Sequence, residues 1–112
     1  IKYLPHYLGE RSPVEGLTYL VRNCTFEPAT SKDISYWKNT LKQIEKAFYF
    51  KTPAIISSHR VNFVGSIDPK NRSNNLYQLD LLLSEIQRKW PDVIFLNSVQ
   101  LGYKINNFLN LN

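Results

Sequence analysis

The chain is expected to fold as an α/β protein in which parallel strands alternate with helices, forming an incomplete (β/α) barrel. Three observations predict this. Short apolar runs, residues 54–57 and 93–96, read as buried strands. Two long segments repeat apolar residues at spacings of three and four, the period of a helix. The two patterns alternate, and right-handed crossovers between them imply a parallel sheet.

Taken in order, residues 1–4 read as a strand end, and residues 5–16 are irregular, punctuated by Pro5, Gly9, Pro13 and Gly16. Residues 17–24 are rich in β-branched and aromatic side chains and read as a strand. Residues 25–31 read as a loop, with Thr30 or Ser31 capping a helix over 33–49. Asp33 suits the positive end of that helix. Ile34, Trp37, Leu41, Ile44 and Phe48 form its apolar stripe, and Pro53 separates it from the central strand. A loop of about a dozen residues follows, 61–72, and loops of that length in a compact domain tend to be functional. A second helix is expected over 74–90, capped by Ser73, with Leu76, Leu79, Leu82, Leu83, Ile86 and Trp90 on its apolar face. Pro91 ends it, 93–96 is a further strand, and Ser98 caps a last helix over 99–109.

The 112 residues suit one domain, 1–112. No methionine occurs, even at position 1, so the expectation is a C-terminal piece of a larger barrel. The net charge is +5 and the pI about 9.4, but the basic residues do not cluster. Lys38, Lys42 and Lys46 line the outer face of one helix and the others are interspersed with acids, so nucleic acid is not the expected partner. No apolar run approaches the roughly 20 residues of a membrane span, so no membrane partner is expected. A homo-oligomer is an allowed state. The single Cys24 excludes an internal disulfide and a thiolate-rich metal site, and it reads as a small core residue.

The chemistry-bearing stretch is Pro53-Ala-Ile-Ile-Ser-Ser-His-Arg60, a strand that delivers His59 and Arg60 at its C-terminal end. Loops at such ends build the sites of parallel α/β folds. His59 there is a candidate general acid or base. In a parallel sheet Arg22, Asn23 and Glu27, around the end of the preceding strand, share its rim and are a candidate orienting set. Asp68, Lys70 and Arg72 in the long loop are further candidate contacts, and His6 reads as a surface residue. Metal-ligand spacing, a glycine-rich phosphate loop and a Gly-x-Ser-x-Gly elbow do not occur.

Leu20-Val-Arg-Asn-Cys-Thr-Phe-Glu-Pro28, the Trp37 helix, the 53–62 stretch and residues 79–101 with Trp90-Pro-Asp-Val-Ile-Phe95 together resemble the C-terminal part of polysaccharide deacetylase-like proteins. The resemblance covers nearly the whole chain in element order, and its specific part is the strand-His pattern with the long loop. It implies a deformed (β/α) barrel and a hydrolase that removes acetyl groups from a carbohydrate substrate with a divalent, zinc-like metal. His59 matches the histidine that protonates the leaving group, and Arg22 and Glu27 match the preceding strand end loosely. Arg60, Asn62 and Asn23 are the expected substrate-binding residues. The family's metal-binding aspartate and paired histidines lie in its N-terminal half, and nothing here matches them, so no metal ligand is assigned in this chain. Ser57 and Ser58 also depart from the family's pattern before the histidine, and its aspartate-tryptophan motif is missing at the preceding strand end. The competing expectation is a non-catalytic α/β module that binds sugar or a partner subunit, with Tyr3, Tyr7, Tyr19 and Phe63 as stacking platforms.

Overall fold

The computed structural model describes residues 20–31 and 34–110. These form mixed α/β structure, mostly helical, with two short strands. They fall into two compact units. One is Arg22–Val93; of the other, residues 20–21 and 94–110 are described.

The unit Arg22–Val93 is built on a parallel strand pair, β1 (Cys24–Thr25) and β2 (Ile56–Ser57), with Cys24 opposite Ile56 and Thr25 opposite Ser57. Cys24 N–H donates to Ile55 O at 3.1 Å and Phe26 N–H to Ser57 O at 2.9 Å. Around them lie α1 (Pro28–Ser31), α2 (Tyr36–Tyr49), a 3₁₀ turn (Arg60–Phe63) and α3 (Pro69–Lys89). The core joins Cys24 and Phe26 of the first crossover to Leu41 and Ile44 of α2 and to Leu82 and Ile86 of α3, with Trp37, Phe48, Phe63 and Trp90 packed against it. Phe48 and Trp90 meet edge to face at 4.8 Å, which closes the far end of the α2–α3 seam.

Several expectations are corrected. The first strand is confined to Cys24–Thr25; residues 20–23 are not strand, and 17–19 and 1–16 lie outside the described residues. The central strand is not fully buried: Ile56 faces outward, 41% exposed. Residues 28–31 are helical, and Ser35, not Thr30 or Ser31, stands at the N-cap of α2. Asp33 lies outside the described residues, and Ile34, in the turn ahead of α2, is exposed. The long loop shrinks to residues 64–68, because α3 begins at Pro69 with Asp68 as its cap: Asp68 Oδ1 accepts from Lys70 N–H at 3.0 Å. Pro69 fills the first helical position, where a missing N–H costs nothing. Residues 93–96 are not a strand, and Ile94 and Phe95 are exposed. The described strands make one parallel pair, and a barrel is not shown among the described residues.

In the second unit α4 (Ser98–Asn110) opens on a capping box, with Asn97 rather than Ser98 at the cap. Asn97 Oδ1 accepts from Gln100 N–H at 2.9 Å, and Gln100 Oε1 accepts from Asn97 N–H at 3.0 Å.

Candidate functional site

The register of the strand pair decides which side chains meet. Residues 24 and 25 face residues 56 and 57, an offset of 32 that carries two positions further to place 27 opposite 59. Both chains have just left their strands at the same end. Glu27 Oε1 and His59 Nδ1 lie 2.6 Å apart there. The other carboxylate oxygen, Glu27 Oε2, accepts from Asn62 Nδ2 at 2.8 Å. Ser58 Oγ donates to Phe26 O at 2.7 Å and holds the two exits together one residue earlier.

Glu27 is enclosed and His59 is open: their side chains are 19% and 72% exposed. Burial pushes the Glu27 carboxyl up, but donation from Asn62, and then donation and positive charge from His59, outweigh it and hold the group below the ordinary carboxyl range. An ionised carboxylate requires the Nδ1 proton to point at it, which leaves Nε2 as the outward nitrogen of the ring. Nε2 then accepts a proton in the neutral ring and donates one in the imidazolium.

Asn62 is the keystone of this corner. It is fully buried by a tight 3₁₀ turn that follows His59. Its Oδ1 accepts from Ala29 N–H at 3.0 Å, supplying a partner for the start of α1. Its backbone carbonyl accepts from Asn75 Nδ2 at 2.8 Å. Asn75 Nδ2 also reaches Asn71 Oδ1, and Asn71 Nδ2 donates to Val61 O and Val64 O. Three asparagines thus fasten the turn to α3. These α3 carboxamides were not singled out in the sequence, although Asn71, Asn74, Asn75 and Gln78 recur at helix spacing on one face.

The other expected residues are placed differently. Arg22 precedes β1, at the opposite end of the strand pair from His59, and donates to Ser57 Oγ at 3.4 Å. Among the described residues no hydrogen bond or ion pair joins it to Glu27 or His59; its guanidinium reaches the last residue of β2, two positions before His59. Asn23 is also at that opposite end: its Nδ2 donates to Pro53 O at 2.9 Å and its Oδ1 accepts from Ile55 N–H at 2.7 Å, so its carboxamide extends the strand pairing. Arg60 is exposed beside His59. Phe63 is partly buried against the core and stacks on Phe26 with ring centroids 6.4 Å apart. Tyr3, Tyr7, Tyr19 and His6 lie outside the described residues. Cys24 is buried, and burial pushes its thiol up, as suits an inert core residue.

Among the described residues no three carboxylate, imidazole or thiolate groups converge as a metal site. Glu27 and His59 are two donors without a third, so the described side chains do not fit a bound zinc-like ion. No described helix is long and apolar enough to cross a membrane. No family model, no curated protein and no solved structure matches the chain.

Proposed function

We propose that the Glu27–His59 pair is the proton-transfer element of a hydrolase acting on acetylated carbohydrate, with His59 as general acid. The observation that carries this reading is the 2.6 Å contact between a histidine open to solvent and a carboxylate whose second oxygen is held by a buried asparagine. Glu27 fixes the tautomer of the ring; water adds to the acetyl carbonyl carbon and loses its proton to bulk water, and as the tetrahedral adduct collapses to acetate the acyl C–N or C–O bond breaks while His59 Nε2 gives its proton to the leaving amine or alkoxide. The resemblance to polysaccharide deacetylase-like proteins supplies the substrate class.

The test is hydrolysis of an N-acetylated oligosaccharide by the protein carrying this chain. His59→Ala lowers kcat about a hundredfold or more, the range of a lost general acid. Glu27→Gln lowers it too and moves the pH profile of kcat/KM, which a purely structural residue does not do. Turnover unchanged in His59→Ala overturns the reading.

A second reading is a non-catalytic α/β module that binds sugar. The openness of His59, with 72% of its side chain exposed, favours it, since nothing described shields the ring from bulk water. Saturable sugar binding without turnover in the parent protein distinguishes the two.

A further inference from the structure

Helix α2 breaks two of the local rules that stabilise helices. Lys38, Lys42 and Lys46 follow one another at intervals of four, so like charges adjoin on successive turns. Lys38 also stands in the first turn, where the backbone dipole disfavours a cation, and no acid stands there to offset it. All three lysines are exposed. Among the described residues none of them enters an ion pair. Glu45, the acid of this helix, is tied instead to Lys89 of α3. Lys38 lies over the Trp37 ring, 5.8 Å from its centroid, which leaves its charge in place.

The lysine ridge ends in aromatic surface. Tyr49 continues its line, one turn beyond Lys46, and is 80% exposed; Phe50 beside it is 62% exposed. The two rings meet edge to face at 5.1 Å and make one apolar patch next to the last ammonium. Lys51 follows and is exposed. The opposite side of α2, with Thr40, Leu41, Ile44 and Ala47, is buried, so the helix cannot turn to hide this face. We propose that the Lys38–Lys42–Lys46 ridge, with Tyr49 and Phe50 at its end, docks on an anionic lipid surface. Charge complementarity carries the assignment: negative headgroups relieve the repulsion between the lysines, and local rules are broken where a function repays it.

Shape and residue type favour lipid over other polyanions. The ridge is the convex outside of a helix, about 12 Å from Lys38 to Lys46 at the helical rise. A flat surface meets such a line along its whole length, whereas single-stranded nucleic acid is held in a groove. The cations of the ridge are all lysines, compact charges suited to diffuse attraction, not the planar forks that grip a phosphate or a base. Tyrosine and phenylalanine are side chains that settle at a bilayer interface. The contact is adsorption, not crossing; the expectation of no membrane partner rests on the absence of a spanning run, which concerns crossing alone. The inference uses neither Glu27 nor His59 and does not depend on the hydrolase reading.

The experiment is cosedimentation of the full chain with sucrose-loaded vesicles of equal parts phosphatidylserine and phosphatidylcholine, beside vesicles of phosphatidylcholine alone. The chain is expected to bind the first and not the second, and to be released as salt is raised. Lys42→Glu is expected to weaken binding about tenfold or more. Lys70→Glu, on α3, changes the net charge equally and is expected to weaken it clearly less. Tyr49→Ser is expected to weaken binding severalfold with the salt dependence unchanged, because it removes a ring and no charge. All three positions are exposed, so each variant should keep the parent's far-ultraviolet circular dichroism. Equal binding to both vesicles, equal losses from Lys42→Glu and Lys70→Glu, or full binding by Tyr49→Ser overturns the proposal. Retention of a single-stranded oligonucleotide or of poly-L-glutamate without binding to the charged vesicles overturns it too, and makes the ridge a nucleic-acid or protein contact.

Discussion

The side-chain nitrogen of Asn62 lies within 3.2 Å of four acceptors, Phe26 O, Glu27 Oε2, Ser58 Oγ and His59 O. It has two protons, so these bonds are shared, and the burial of the group makes each one consequential. Asn62→Ala leaves the buried Ala29 N–H and Glu27 Oε2 without the partner Asn62 supplies, while Phe26 O keeps its bond from Ser58 Oγ, and an orphaned buried polar group costs roughly 1–3 kcal/mol. A loss of about 3 kcal/mol in urea unfolding is expected. Glu27 makes a separate, pH-dependent contribution. Its carboxyl is depressed in the folded chain, so the folded state binds that proton less readily than the unfolded state. The stabilisation is complete above the ordinary carboxyl range and is lost as pH falls through the depressed value. Unfolding curves taken on acidification should therefore steepen for the parent chain relative to Glu27→Gln; parallel acid limbs refute the linkage. The sequence marked His59, Glu27 and Asn62 because polar residues follow a strand-like run. Their mutual geometry was hidden, because it depends on a register between residues 32 positions apart.

At the scale of elements, both ends of the helices carry local signals that differ in strength. The Asp68-Pro69 pair is a cap followed by a helix-starting proline, legible in the sequence but overshadowed there by Ser73. Asp68→Ala should cost about 1 kcal/mol and Ser73→Ala far less. The end of α2 is the opposite case. Thr52 N–H donates to Ala47 O and Lys51 N–H to Phe48 O, which closes a Schellman motif with Lys51 at φ 58° in the position usually held by glycine. No glycine marks this stop, so composition alone could not place it; Pro53 bounds it only from outside. A side chain in the left-handed region is strained by roughly 1–2 kcal/mol. Because glycine also gains freedom in the unfolded chain, Lys51→Gly is expected to raise stability by a net of about 0.5–1 kcal/mol. Lys51→Ala is the control: alanine meets the same steric penalty and should leave the melting temperature nearly unchanged.

For the whole molecule, the helices were readable and the sheet was not. An apolar stripe on α2 or α3 is a property of the segment, so Leu41, Ile44, Leu82 and Ile86 could be assigned inward from spacing. A strand exists only through its partner. Residues 93–96 have the composition of a buried strand, yet no ladder among the described residues takes them up, and 20–23 are not strand, although Asn23 N–H bonds Ile55 O just ahead of β1. Stability in Arg22–Val93 therefore rests on the seam between α2 and α3 against Phe26, with the two-residue strands as a positioning device rather than a source of burial. This separates two apolar substitutions. Leu82 is 1% exposed within the core cluster and Ile67 is 97% exposed. Leu82→Ala removes packed atoms and leaves a cavity, which costs about 2–5 kcal/mol, while Ile67→Ser should fall within about 0.5 kcal/mol of the parent. If the seam is the cooperative unit, Leu82→Ala lowers the urea midpoint with the slope unchanged, and circular dichroism and tryptophan fluorescence report one transition. Two separated transitions, or an equal loss from Ile67→Ser, would mean that the energy resides elsewhere in the chain.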